Sequence, residues 1–155
     1  MRNNKTYSEV VNELQKTIYF LLKENTNVCS YVQVGDNKFN IYDGNPTSQG
    51  RIGFPYIEVH TPTFNEEFLT FKKRNITFTI RIEVIDKIES NVRELVDVVR
   101  SALQEGRQRT RKKGYWNLKT TNTSLTPRFL PNESSKPVWV YVLFVSYEWR
   151  GCYIG

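Results

Sequence analysis

Apolar and polar residues alternate most regularly between Ile76 and Val84. Ile76, Phe78, Ile80, Ile82 and Val84 take every second position, and Thr77, Thr79, Arg81 and Glu83 stand between them. A period of two predicts a half-buried strand. Asp86 and Lys87 turn the chain, and the period then changes. Val92, Leu95, Val96, Val99, Ala102 and Leu103 recur at helical spacing, behind an Asn91–Glu94 pair that reads as a capping box. Gly106 follows where a left-handed C-cap belongs.

A second helical stripe lies near the start. Tyr7, Val10, Val11, Leu14, Ile18, Leu21 and Leu22 follow a Thr6–Glu9 capping box and predict a helix over about 7–24, stopped by Asn25-Thr26-Asn27. Val28–Val34 reads as a short strand ending at Gly35-Asp36-Asn37, and Phe39–Tyr42 as a brief extended piece. Asp43–Gly50 is dense in turn formers and reads as an exposed loop. Phe54–His60 predicts a strand with Pro55 at its start, where a missing N–H is tolerated. It is expected to pair antiparallel with the long strand, which makes 61–71 a hairpin tip. Phe64, Phe68, Leu69 and Phe71 lie in that tip, more large apolar residues than a solvated loop needs. They either fold back on the domain's own core or pack on a neighbouring subunit.

Tyr115–Lys119 follows the second helix, Thr120–Thr126 suits a strand, and Pro127–Pro137, broken by three prolines, is a loop. Val138–Trp149 is apolar on both faces, the pattern of a central strand covered on each side. The whole predicts one α+β domain over residues 1–155, a mostly antiparallel sheet with two helices packed on one face. The Trp- and Tyr-rich face of the last strand, with Trp139, Tyr141 and Leu143, then needs a further cover. An oligomer partner is the simplest one.

Composition supports one packed domain: 155 residues with 39% apolar and 14% aromatic residues suffice for a core and exclude a disordered chain. Met1-Arg2-Asn3-Asn4-Lys5 is too polar for a secretory leader, and no apolar run approaches a membrane span, so no membrane partner is expected. Cys29 and Cys152 form no CxxC pair, and free thiols are expected over a disulfide. Charge changes the picture more. Of the formal net charge of +6, Arg107, Arg109, Arg111, Lys112 and Lys113 supply five positives between Gly106 and Gly114. The rest of the chain is nearly neutral. Such a segment reads as an exposed loop, either merely solvated or facing nucleic-acid phosphates without reading bases.

Catalytic patterns are missing. His60 has no neighbouring His or Cys to complete a metal set, and there is no nucleophile elbow, phosphate loop or H-E-x-x-H. Glu58, Glu83 and Asp86 invite comparison with a metal-dependent nuclease, but no lysine follows at the required spacing. They read as solvent-face acids on half-buried strands.

The ordered elements resemble a known family. An N-terminal helix and a Gly/Asn loop precede Phe54-Pro55-Tyr56-Ile57-Glu58-Val59. The strand Ile76–Val84 then leads through Asp86 into Val92-Arg93-Glu94-Leu95-Val96-Asp97-Val98-Val99-Arg100-Ser101-Ala102-Leu103, and an apolar C-terminal strand closes the chain. This set resembles the tail terminator, or tail completion, proteins that join tail tube to head in long-tailed phages and related viruses. The resemblance implies a small α+β subunit in a ring, commonly a hexamer, at the tail–head junction of a virion assembled in the host cytoplasm. Its implied partners are other copies of itself, the tail tube protein, head or neck connector proteins and transient, non-specifically held DNA. It implies neither enzyme activity nor a cofactor. Another head–tail connector (an adaptor or stopper) and a non-specific nucleic-acid-binding accessory protein stay open beside it.

Overall fold

The computed structural model describes residues 5–36, 38–44, 53–70, 73–122, 125–129 and 137–151. Helix α1 (Tyr7–Lys23) starts as its capping pattern predicts: the Thr6 hydroxyl accepts the Glu9 backbone N–H at 3.2 Å. Its stripe of Val10, Leu14, Ile18, Leu21 and Leu22 is buried. Asn25 does not stop helical structure; it begins more of it. Its side chain accepts the Val28 N–H at 3.0 Å and caps α2 (Thr26–Val32), so most of the segment expected as a strand is helical. Val28, Cys29 and Val32 fall on one face of that helix and are buried, a spacing equally legible as a short apolar strand. Cys29 is buried and unbridged, and Cys152 lies outside the described residues.

Strands β1 (Gln33–Gly35) and β2 (Lys38–Phe39) form a small antiparallel pair. The main sheet holds β3 (Ile41–Asp43), β4 (Tyr56–Val59), β5 (Thr63–Thr70), β6 (Lys73–Asp86), β7 (Tyr115–Asn122), β8 (Thr126–Arg128) and β9 (Val138–Trp149). Its central path runs β3-β4-β6-β9-β7, with β5 added to β6 and β8 to β9. Every pairing in it is antiparallel except β3 with β4, which makes the sheet mixed. The long strands β6 and β9 lie side by side at its centre, in register from Thr77↔Glu148 to Asp86↔Trp139.

The expected hairpin tip is itself strand. β4 and β5 lie end to end along one edge of β6, Tyr56 opposite Ile85 and Thr70 opposite Lys73, and they are parted only at residues 60–62. The β5–β6 ribbon continues past the last β9 partner of β6, at Thr77, so its outer part projects from the sheet.

Helix α3 (Glu89–Glu105) begins two residues before its expected cap. Its N-cap is Ile88, without a side-chain bond. Asp86 orders the turn instead, accepting from the Lys87 N–H at 2.7 Å and from Asn91 Nδ2 at 3.0 Å. Asn91 therefore braces the turn from within the helix. Gly106 is not left-handed either; its φ is −83°. Its need for glycine is packing, since a Cβ there would come within 2.2 Å of Leu21 Cδ1. Chain 107–113, expected as a loop, largely continues as the short helix α4 (Arg107–Lys112).

Helices α1 and α3 pack on one face of the sheet, around Ile57, Val59, Phe78, Ile80, Ile82, Val84, Leu143, Val145 and Tyr147. This corrects one expectation: the Trp- and Tyr-rich side of β9 faces the domain's own helices. A smaller cluster of Tyr56, Ile85, Val138 and Val140, flanked by Tyr42, Phe54 and Val142, lies on the opposite face.

Gly114 ends the α4 segment with φ +100°, and a Cβ on it would stand 2.7 Å from Gly151 Cα. Strain and backbone collision combine there, so Gly114→Ala is expected to cost about 2 kcal/mol in chemical denaturation. A cost below about half a kcal/mol would show that this contact yields freely.

Candidate functional site

Three places hold the residues that the sequence marks out. The first is α4. Arg109 Nη1 meets Glu24 Oε2 at 2.5 Å, tying α4 to the end of α1. Arg107 Nε donates to the Gln104 carbonyl at 3.1 Å. Arg111 lies over the Trp116 ring, 5.1 Å from its centroid. Thr110, the one buried residue of the helix, donates its hydroxyl to the Arg107 carbonyl. All five cations of 107–113 are exposed, as their charge requires, but they point around a helical turn rather than along a loop. The run of like charge between two glycines hid this, because it suits a solvated loop equally well.

The second place is the projecting ribbon. Phe64 stacks on Tyr7 with ring centroids 4.2 Å apart and lies 6.1 Å from Phe78, while staying 47% exposed. Its inner side thus packs on the domain's own aromatic cluster, and the Tyr7 hydroxyl donates to Glu66 beside it. The side chains of Phe68 and Leu69, and the whole of Phe71, lie outside the described residues. Of the β9 candidates, Leu143 is fully buried in the subunit core and has no surface to offer a neighbour. Trp139 and Tyr141 are half-buried against that core.

The third place is a polar network on the sheet face away from the helices. Glu58 and Glu83 stand directly opposite each other on β4 and β6, and neither is a solvent-face acid: their exposures are 4% and 5%. Asp86 is buried too, as the turn brace described above. His60 Nε2 lies 3.0 Å from Glu58 Oε2 and 3.1 Å from Glu83 Oε2, while its Nδ1 lies 3.4 Å from Arg81 Nη2. The ring thus bridges two carboxylates on one side and a guanidinium on the other. Arg128, from β8, donates to Glu83 Oε1 at 3.4 Å.

Burial, and then the hydrogen bond and charge of Glu83, push the Glu58 carboxyl up to about 7. Burial alone would raise Glu83 as well. The bond from Glu58 and the charges of Arg128, His60 and Arg81 reverse that and hold it low. One proton shared across a carboxyl pair thus keeps like charges apart.

Glu58, His60 and Glu83 offer ligand atoms that lie within 4.8 Å of one another. Two arginines already face the outer oxygen of Glu83, 3.4 and 3.8 Å away. The charge balance is that of an internal ion-pair network and not of a cation site. Sequence reasoning missed this network because β8 and β4 meet β6 and β9 only through long-range pairing. Its one early signal was the Glu-x-His spacing, which puts both side chains on one strand face.

No family model and no curated protein matches the chain. Among solved structures, a chain from the virion of a native gene transfer agent particle is similar in fold. The TM-score is 0.62 at 14% identity, and the match covers 91% of this chain and 98% of that one.

Proposed function

We propose that the protein is a structural subunit of a phage-like virion. It assembles as a ring at the head–tail junction, in the manner of a tail terminator, with DNA passing through. The observation that carries this reading is the fold match, which runs nearly end to end on both chains. Two features of the subunit support it. The β5–β6 ribbon projects from the sheet with Phe64 half-exposed, a shape suited to reaching a neighbour. The excess positive charge is concentrated in the exposed cations of segment 107–113, as a surface passing DNA without reading sequence requires. Trp139, Tyr141, Phe68, Leu69 and Phe71 are the remaining contact candidates; Leu143 is not.

A ring of defined stoichiometry is the expected result in native mass measurement and negative-stain microscopy, alone or after mixing with tail tubes. A protein that stays monomeric at high concentration, and also in the presence of tubes and head connectors, would overturn the reading. Binding to portal-bearing heads in preference to tubes would move the subunit to the adaptor or stopper position.

A further inference from the structure

The cations of 107–113 do not act as one patch. Arg109 is held by Glu24 at the far end of α1, and Arg107 turns back on α3. Arg111, Lys112 and Lys113 instead line an open cleft of about 560 Å³ where α4 meets the ends of β7 and β9. Two further cations, distant in sequence, complete it: Lys5, just before α1, and Arg150, just after β9. Backbone packing makes this convergence possible, because Gly114 and Gly151 touch without room for a side chain. The Arg150 N–H also donates to the Gly114 carbonyl at 2.7 Å.

Aromatic rings lie under three of these cations. Arg111 and Arg150 both lie over Trp116, with guanidinium carbons 5.1 and 5.6 Å from its centroid. The Lys5 ammonium stands over Trp149 at 5.8 Å. Against five positive charges, Glu13 is the one carboxylate among the described residues that line the cleft, and Lys5 holds it at 2.8 Å. Glu148 engages Arg150 at 3.2 Å from outside. Among the described residues, Arg111, Lys112 and Lys113 have no carboxylate partner. A net positive concavity with oriented N–H donors is complementary to an array of anions.

We propose that this cleft is a binding site for the phosphate backbone of DNA, with Lys5 and Arg150 as part of it and Arg107 and Arg109 outside it. This rests on the reading of the protein as a virion subunit past which DNA moves. Nucleic acid is favoured over an acidic protein segment because the Trp116 and Trp149 rings already carry cationic partners, which leaves charge rather than bare aromatic surface to recognise a ligand.

The test is fluorescence anisotropy of a labelled duplex with the full chain between 50 and 200 mM salt. About four to five phosphate contacts predict a log–log salt slope near −4. Lys5→Gln/Arg150→Gln is expected to weaken binding about tenfold or more and to flatten the slope by roughly 2. Arg107→Gln/Arg109→Gln should change affinity less than about twofold. Circular dichroism confirms that both variants fold. Equal losses in the two variants, an unchanged slope in the first, no duplex binding by the wild type, or displacement of duplex by polyglutamate at lower concentration than by unlabelled DNA would each overturn the assignment. Ring formation is read separately by native mass. Rings without duplex binding refute the cleft alone, and duplex binding by a permanent monomer refutes the virion role alone.

Discussion

A Phe78→Ala protein is expected to lose about 3–5 kcal/mol of stability, the cost of emptying a large buried aromatic site. Phe78 is fully buried at the centre of β6. Its ring lies 6.1 Å from Phe64 of the projecting ribbon and 6.3 Å from both Tyr115 and Trp149. Tyr115 in turn donates its hydroxyl to the Val10 carbonyl at 2.8 Å, which fastens β7 to α1. The ring therefore joins the ribbon, the first helix and the base of the cationic cleft. Phe78→Leu, which keeps most of the volume, should cost about 1–2 kcal/mol. Urea denaturation of the two variants decides this. A Phe78→Ala midpoint close to that of the wild type would show that the surrounding elements are held without it.

The second large effect depends on pH. The folded state holds the Glu58 carboxyl at about 7, against 4.5 for an unstrained glutamate. The folded protein therefore binds this proton more tightly than the unfolded chain does. The stability that Glu58 contributes is fully present below about 4.5 and falls as pH rises toward 7, by about 3 kcal/mol in all. Glu83, held low, acts in the opposite sense: its contribution is present above its unfolded pKa and is lost in more acid solution. The window between roughly 4.5 and 7 thus belongs to Glu58. Glu58→Gln copies the protonated carboxyl, since the amide can donate to Glu83 without carrying charge. It is expected to match the wild type near pH 5 and to exceed it near pH 8 by about 2–3 kcal/mol. Denaturation curves at the two pH values provide the check. Wild-type and Glu58→Gln stabilities that run parallel across this range would mean that the buried pair carries no strain at neutral pH.

These two results would separate what holds the subunit together from what it does. Glu58 lies on the other face of the sheet from the helices and outside the cationic cleft, so Glu58→Gln should bind duplex DNA normally. The cleft variants should show the reverse.

Local pattern determined much of this protein. The period of two from Ile76 to Val84, the stripes of α1 and α3 and the two-sided apolar run of β9 all became the elements they predicted, because burial on one face or two is written in consecutive residues. The confinement of positive charge to 107–113 was equally plain, since it is a property of composition alone. Local signals misled where two periods fit the same short run. Val28, Cys29 and Val32 suit a strand or a helix, and the Asn25 cap decided for the helix.

Tertiary structure alone settled which face of β9 meets the helices, and with it that Leu143 belongs to the core. It also drew Glu58, His60, Glu83, Arg81 and Arg128 into one network, through strand register that no short-range pattern encodes. The cleft shows the same thing most clearly. Lys5 and Arg150 are ordinary charges in the sequence, and they join Arg111 only because α4 turns back on the glycine contact between residues 114 and 151. Long-range pairing and backbone approach are sums over the whole fold, which is why a sequence read one window at a time cannot place them.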